Sequence, residues 1–278
     1  MTATDRHGTG SPTEYADTFD RWLEEHRPGL IALRRTIHAH PELSREEHGT
    51  TELINERLTL VGLTPRPLAV GTGLVCDLAP PASGIQAARD GGDDGGRGVF
   101  ALRADIDALA MADEKDVAYR SQHPGVAHAC GHDVHTAIAL GAALFFAQHP
   151  DALPGPVRVI FQPAEEQVPG GAVDVVEEGH LDGVSSIVGL HCEPKLDVGT
   201  IGVRSGTISS AADSAVITVQ GPGGHTERPE LTVDVVDVLA SIVSELPRRV
   251  AARIGGPGRV KIVFGAIQAG DAANVVPT

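Results

Sequence analysis

The densest concentration of reactive side chains is the run His128-Ala129-Cys130-Gly131-His132-Asp133-Val134-His135. A thiolate and an imidazole two residues apart can converge on one cation, and Cys and His are ligands for zinc and similar borderline metals. The run directly precedes an apolar stretch expected to be helical over residues 136–149, and a helix N-terminus favours a thiolate. Alone, a Cys-x-His pair is as consistent with core packing as with ligation. Asp133, His135 and His128 around it turn the reading towards a metal. The adjacent carboxylates Glu165-Glu166 form a second group. A metal lowers the pKa of a bound water towards ~7, so one carboxylate can bind the metal while the other accepts and returns a proton. An isolated Glu-Glu pair is more often a solvated turn. His191 closes an apolar run and can be a further ligand, although a lone histidine there is more often a satisfied core residue. Asp105 can orient a ligating imidazole from behind, while Asp107 reads as the cap of a turn. Farther on, Gly-Pro-Gly-Gly-His225-Thr-Glu-Arg228-Pro is either a simple turn or a glycine-rich approach at which His225 and Arg228 bind an anion or oxyanion.

These groups need elements to bring them together, and the sequence supplies a pattern. Residues 98–102 are an apolar strand running into Asp105. Residues 157–161 are a strand running into Glu165-Glu166, and residues 186–190 a strand running into His191. Helical segments are expected at 136–149 and about 171–179. Strands alternating with helices imply a mostly parallel sheet, whose ligands bind at the carboxyl ends of the strands. Three successive strands would then deliver Asp, Glu-Glu and His to one edge. Upstream, residues 15–33 read as helix. Ser44 followed by Glu47 has the form of a capping box opening a second helix, with Leu53, Ile54, Leu58 and Val61 at helical spacing and Gly62 at its end. A short strand, GLVCDLA, places Cys76 as a buried small hydrophobe. Residues 1–13 read as a mobile tail, and the Gly/Asp/Pro-rich stretch 80–98 as a flexible surface loop. After residue 213 the character changes. SAVITVQGPGG and VKIVFGAIQAG read as strands flanking a helix over about 232–252, which Pro247 would end or kink. The expected organisation is a tail (1–13), a catalytic metal-binding domain (14–211) and a small α+β domain (212–278).

The chain has 278 residues, 41% hydrophobic and 21% charged, an ordinary composition for a globular protein. Its formal net charge of −15 argues against nucleic acid or an anionic membrane as the main partner. No stretch reaches the roughly 20 apolar residues that span a bilayer, and the N-terminus has no apolar signal core. Three cysteines give no disulfide framework. These features together read as a cytoplasmic protein.

LRRTIHAHPELSREEHGTT, ALRADIDAL, HACGHDVHTA, RVIFQPAEE, GGA, IVGLH, GPGGHTERP and AANVVP occur in that order. Taken together they resemble the amidohydrolase branch of the aminoacylase-like dinuclear metallopeptidases, which includes hippurate hydrolase and the plant indole-acetyl-amino-acid hydrolases. The resemblance implies a zinc-peptidase-like α/β catalytic domain with an inserted ferredoxin-like lid, and hydrolysis of N-acyl amino acids. It implies two divalent metal ions bridged by Cys130, with His132, Glu166 and His191 as further ligands and Glu165 as general base. Zinc suits these donors best, with manganese, cobalt or nickel as other candidates. It further implies a homodimer formed through the lid, in which His225 polarises the scissile carbonyl in the partner's active site and Asn274 helps hold substrate. Ala108-Leu109-Ala110 replaces the family's usual Ala-Leu-Pro, and GGHTERP its commoner Gly-Gly-His-Ala. Family members also continue well past the equivalent of Thr278, into a segment expected to carry a last histidine ligand. A truncated, non-catalytic metal-binding or dimerisation module is therefore one rival reading. A dipeptidase or carboxypeptidase is the other, disfavoured because peptidase branches usually place Asp where Cys130 stands.

Overall fold

The computed structural model describes residues 12–79, 98–153, 155–208, 213–255 and 260–278. Most of the expected tail and of the Gly/Asp-rich loop lie outside the described residues. The chain divides into two compact units, residues 1–210 and 211–278.

The first unit is organised by a five-stranded sheet. Its strands are β1 (Arg66–Pro67), β2 (Leu74–Leu78), β3 (Val99–Asp105), β4 (Val157–Gln162) and β5 (Val184–Gly189), in the order β1-β2-β4-β3-β5. β3 runs parallel to both β4 and β5, whereas β2 is antiparallel to β1 and β4. The sheet is thus mixed rather than mostly parallel. The residue pattern of β2 gives its faces but not its direction, which its pairing partners set. The parallel trio is the part that matters for chemistry, because β3, β4 and β5 all end on the same edge.

Side chains alternate across the sheet, and both faces are covered. Leu74, Cys76, Leu78, Ala104, Val157, Val159 and Phe161 meet three helices: α1 (Pro12–Ala39), α2 (His48–Leu60) and α3 (His132–Gln148). Val75, Ala101 and Ile160 face the other way, onto Val175 of α4 (Ala172–Glu177). Fully buried Ile54 and Leu58 anchor α2, each stabilising by about 1.5–3 kcal/mol. The capping box does not form. Glu47 stands at the N-cap of α2 without a side-chain cap bond, and the Ser44 hydroxyl donates to Asp107 instead. The cap comes from Glu42, whose carboxylate accepts the Gly49 and Thr50 amides at 2.8 and 2.7 Å. Gly62, at φ 82°, ends the helix as its position predicts.

A buried charge also helps to hold the sheet together. Arg158 on β4 is 1% exposed. It donates through Nε and Nη2 to both carboxylate oxygens of its cross-strand neighbour Asp77, and through Nη1 to the His180 carbonyl. Arg66 adds a third contact to Asp77.

In the second unit, α5 (Val235–Arg253) starts on Asp234, whose carboxylate accepts the Val236 and Asp237 amides. It runs through Pro247 rather than stopping there, losing one internal bond but keeping its ladder on both sides. The two strands expected beside it form no ladder over residues 213–223 and 260–274. Among the described residues of this unit, only β6 (Gly224–His225) and β7 (Val275–Val276) pair, antiparallel. Val216 and Val263 are 95% and 72% exposed. Alternation alone does not make a strand, because the ladder requires a partner for every amide.

Arg158→Ala removes two hydrogen bonds and a buried guanidinium from the Asp77 carboxylate, and a loss of about 3–5 kcal/mol in urea unfolding is expected. A loss below about 1 kcal/mol would show that the remaining partners of Asp77 suffice. Burial pushes the Asp77 carboxyl upwards, but the bonds and charge of Arg158 and Arg66 hold it below the usual carboxylate range. A depressed folded pKa gives stability that is present above about pH 4 and lost as pH falls through the folded value. The acid limb of the stability profile should therefore flatten in the variant.

Candidate metal centre

At the end of β3, Asp105 is buried. It accepts His135 Nδ1 at 2.6 Å on one oxygen and Arg103 Nη1 at 2.5 Å on the other. Two residues on, Asp107 is 1% exposed and joins three other segments. Its Oδ2 accepts the Ser44 hydroxyl at 2.7 Å and the Glu166 amide at 3.0 Å. Its Oδ1 and its carbonyl lie 3.2 and 2.9 Å from His132 Nδ1. Burial raises the Asp107 carboxyl, but the bonds from His132, the Glu166 amide and Ser44 bring it down to about 2. Asp107, read from sequence as a turn cap, is the group that orients His132. Asp105, expected to orient a ligating imidazole, holds His135, its nearer oxygen lying 3.7 Å from His132 Nε2.

α3 begins four residues earlier than its apolar run suggested, so His132, Asp133 and His135 lie in its first turn. Gly131 precedes it at φ 90°, a left-handed conformation, and a Cβ there would meet Cys192 Sγ at 2.8 Å. After β4 the chain turns at Ala164 with φ 49°, a costly conformation for a residue with a Cβ. Two bonds hold that turn. The Ala164 amide donates to the buried Glu47 carboxylate at 2.7 Å, and the Ala164 carbonyl accepts the Gly171 amide at 3.0 Å. Burial pushes the Glu47 carboxyl up against those bonds. The turn presents Glu165 and Glu166 at the strand edge. β5 ends at Gly189, and His191 follows just past it with Nε2 3.5 Å from Cys130 Sγ.

The structure therefore brings the expected residues of the first unit together. Cys130 Sγ, a His132 nitrogen and a Glu166 oxygen all lie within 4.8 Å of one another. His132 Nε2 is buried without a hydrogen-bond partner, although its ring is held from behind. Glu166 Oε1 is 3.8 Å from that atom and Glu165 Oε2 3.9 Å. The charge balance is negative: Asp105, Asp107, Glu165 and Glu166 surround the cluster. Burial, then Glu166, Asp105 and Glu165, push the Cys130 thiol up to about 12. Burial, then Glu166 and Asp105, raise the Glu165 carboxyl. Burial works against a charged His132, but Asp107, Asp105 and Glu166 outweigh it and raise its pKa. An orphaned imidazole nitrogen facing a thiol and a carboxylate, in an excess of negative charge, fits a divalent cation, which would reverse the thiol's preference.

In the second unit, His225 and Val275 pair across β6 and β7, and the Asn274 carbonyl accepts the Thr226 amide at 3.3 Å. The Arg228 amide donates to the His225 carbonyl. Four residues named from sequence shape the site in roles that the sequence did not give them: Asp107, His135, Glu47 and Ser44. Asp107 carried a signal, since it follows Asp105 by two residues at the same strand end. Glu47 and Ser44 carried none, because their partners are distant in sequence.

Residues 101–270 match the family described as peptidase family M20/M25/M40. The chain is 38% identical over 248 residues to an N-acetyl-L-cysteine deacetylase of Bacillus subtilis, covering 89% of this chain and 56% of that protein. It is 37% identical over 257 residues to an N-acyl-L-amino acid amidohydrolase of Geobacillus stearothermophilus, covering 92% and 66%. It also matches, at 43% identity over 89% of its length, 29% of a Rhodococcus jostii protein that bears a glutamate–cysteine ligase name. Among solved structures, a Bacillus subtilis dinuclear metal-binding peptidase of family M20 superposes with a TM-score of 0.58 at 40% identity, over 65% of this chain and 47% of that one. A protein from methicillin-resistant Staphylococcus aureus superposes with a TM-score of 0.74 at 29% identity, over 92% and 65%. The chain thus spans only part of the length of these relatives. No helix among the described residues is long and apolar enough to cross a membrane.

Glu47→Ala should cost about 1–3 kcal/mol in chemical unfolding, because it orphans the buried Ala164 amide. Glu47→Gln should cost clearly less, since an amide oxygen can still accept that bond. Equal losses would mean that the Ala164 bond is not what Glu47 contributes.

Proposed function

The chain belongs to peptidase family M20/M25/M40, and from that premise we propose that it forms the metal-binding part of an amidohydrolase acting on N-acyl amino acids. The observation that carries the reading is the unpaired, buried His132 Nε2 facing Cys130 Sγ and the Glu166 carboxylate. Relatives named as an N-acyl-L-amino acid amidohydrolase and an N-acetyl-L-cysteine deacetylase give the reaction class.

Cys130, His132, Glu166 and His191 would hold two divalent cations. Cys130 is suited to the shared position, having His132 and Glu166 nearby and His191 at 3.5 Å. Zinc suits the donor set best. Bound there, such ions acidify water and polarise a carbonyl. Glu165 lies outside the ligand cluster, with a side chain 41% exposed and an oxygen 3.9 Å from His132 Nε2. It takes a proton from the attacking water as the new carbon–oxygen bond forms. It delivers that proton to the nitrogen as the carbon–nitrogen bond breaks, leaving a carboxylate and a free amino acid. In the second unit His225 Nδ1 accepts the Glu227 amide at 3.2 Å, so Nε2 carries the proton of the neutral ring and can donate to a substrate oxygen. Arg228 and Asn274 would hold the substrate's carboxylate end. We assign residues 212–278 to a ferredoxin-like lid that pairs two copies of the chain, following the catalytic region 14–211.

Elemental analysis after dialysis tests the metal reading: about two divalent ions per chain are expected, and their loss in Cys130→Ala. Absence of bound metal from the wild-type protein would overturn it. Glu165→Gln should retain the metal and lower the hydrolysis of N-acetyl amino acids by about 10²–10⁴-fold. An unchanged rate would remove Glu165 from the proton transfer, and faster hydrolysis of free dipeptides would move the protein to the peptidases.

A further inference from the structure

The least supported ligand of the centre is His191. β5 is an edge strand of the sheet, its register with β3 ends at Gly189, and its side chains are largely exposed. Past that point, one strong hydrogen bond restrains the chain next to His191: the Cys192 amide donates to His135 Nε2 at 2.8 Å. Cys192 Sγ makes only a long 3.9 Å contact to the Gly131 carbonyl.

His135 is well placed to act as an anchor. It lies in the first turn of α3 and is 1% exposed. Its Nδ1 is 2.6 Å from Asp105 Oδ1, and Asp105 is itself clamped by Arg103. A carboxylate on one side and a backbone amide on the other fix the tautomer: Nδ1 carries the proton and Nε2 offers the lone pair. Both nitrogens are thereby engaged. Although His135 lies in a second cluster with Asp105 and His132, it has no lone pair left for a cation. Its ring also neighbours both candidate ligands, with centroids 5.5 Å from that of His132 and 5.5 Å from that of His191. Close packing enforces the same approach, since a Cβ on Gly131 would meet Cys192 Cβ at 3.0 Å and Sγ at 2.8 Å.

We propose that His135 is a positioning residue that sets His191 in the metal centre, by accepting the Cys192 amide on a ring locked by Asp105. The proposal rests on the reading of His191 as a ligand, but its mechanical part can be tested without metal.

Two substitutions separate the ring's nitrogens. In His135→Gln the amide group reaches the place of Nε2 and can still accept the Cys192 amide, while the contact to Asp105 is lost. In His135→Asn the amide reaches the place of Nδ1, keeps Asp105 and loses Cys192. Both remove the ring, so a purely space-filling role would affect them alike. The first measurement is amide hydrogen exchange across residues 190–193 in the metal-free 278-residue chain. His135→Asn should accelerate exchange at Cys192 by about tenfold or more, and His135→Gln much less. The second is zinc affinity by competition with a chromophoric chelator. His135→Asn should weaken binding about 10–100-fold, His135→Gln by under about threefold, and the Asn change should add nothing in a His191→Ala background. Equal behaviour of the two variants in exchange would overturn the proposal. So would loss of one whole metal equivalent in both, which would make His135 itself a ligand. If the wild-type chain binds no zinc, the metal reading fails, and the exchange result alone decides whether His135 holds this segment.

Discussion

Asp107 is where the first unit is tied together. Its carboxylate and carbonyl gather Ser44 from the loop before α2, the Glu166 amide from the turn after β4 and His132 from the start of α3. Removing a carboxylate from water is expensive unless its lone pairs are used. Here they are used, and the bonds outweigh burial. The same bonds aim the far nitrogen of His132 at Cys130 and Glu166. The arrangement of the centre therefore follows from the need to satisfy one buried acid.

Around that hub the structure accepts local costs. Ala164 adopts a left-handed conformation, and Glu47 is buried with its carboxyl pushed up. Both serve to place functional atoms, since Glu47 holds the Ala164 turn from which Glu165 and Glu166 leave the strand edge, while Gly131 lets Cys192 approach the helix start without strain. Four carboxylates beside a thiol that burial and its acidic neighbours push up are electrostatically unfavourable by themselves. A cation is the simplest compensation, which is why the charge imbalance and the orphaned imidazole point the same way. Cohesion is supplied elsewhere, by the apolar faces of the sheet and by Arg158 and Asp77.

The two units differ in how far their local patterns are realised. In the first, β2 and β4 are apolar on one face, carry Val75 and Ile160 beside the Arg158–Asp77 pair on the other, and find helices on each side. In the second, α5 forms with its Asp234 cap, but the alternating segments around it pair only through Gly224–His225 and Val275–Val276. A helix satisfies its own amides, whereas a strand depends on another segment.

The sequence by itself determined the composition of the centre and the edge on which it lies. Cys130-x-His132, Glu165-Glu166 and His191 each follow an apolar run or precede one, and strands in parallel must end together. It also determined α2, the end of that helix at Gly62 and the burial of Cys76, all of which depend on local spacing. Only the tertiary structure decided which acid serves which imidazole, Asp107 taking His132 and Asp105 taking His135. It also decided that Ser44 and Glu47 leave the helix cap to Glu42 and serve Asp107 and Ala164, and that β2 enters antiparallel. The physical reason is the same in each case. Spacing along the chain fixes the direction in which a side chain leaves its own element, while the partner it finds depends on segments dozens of residues away.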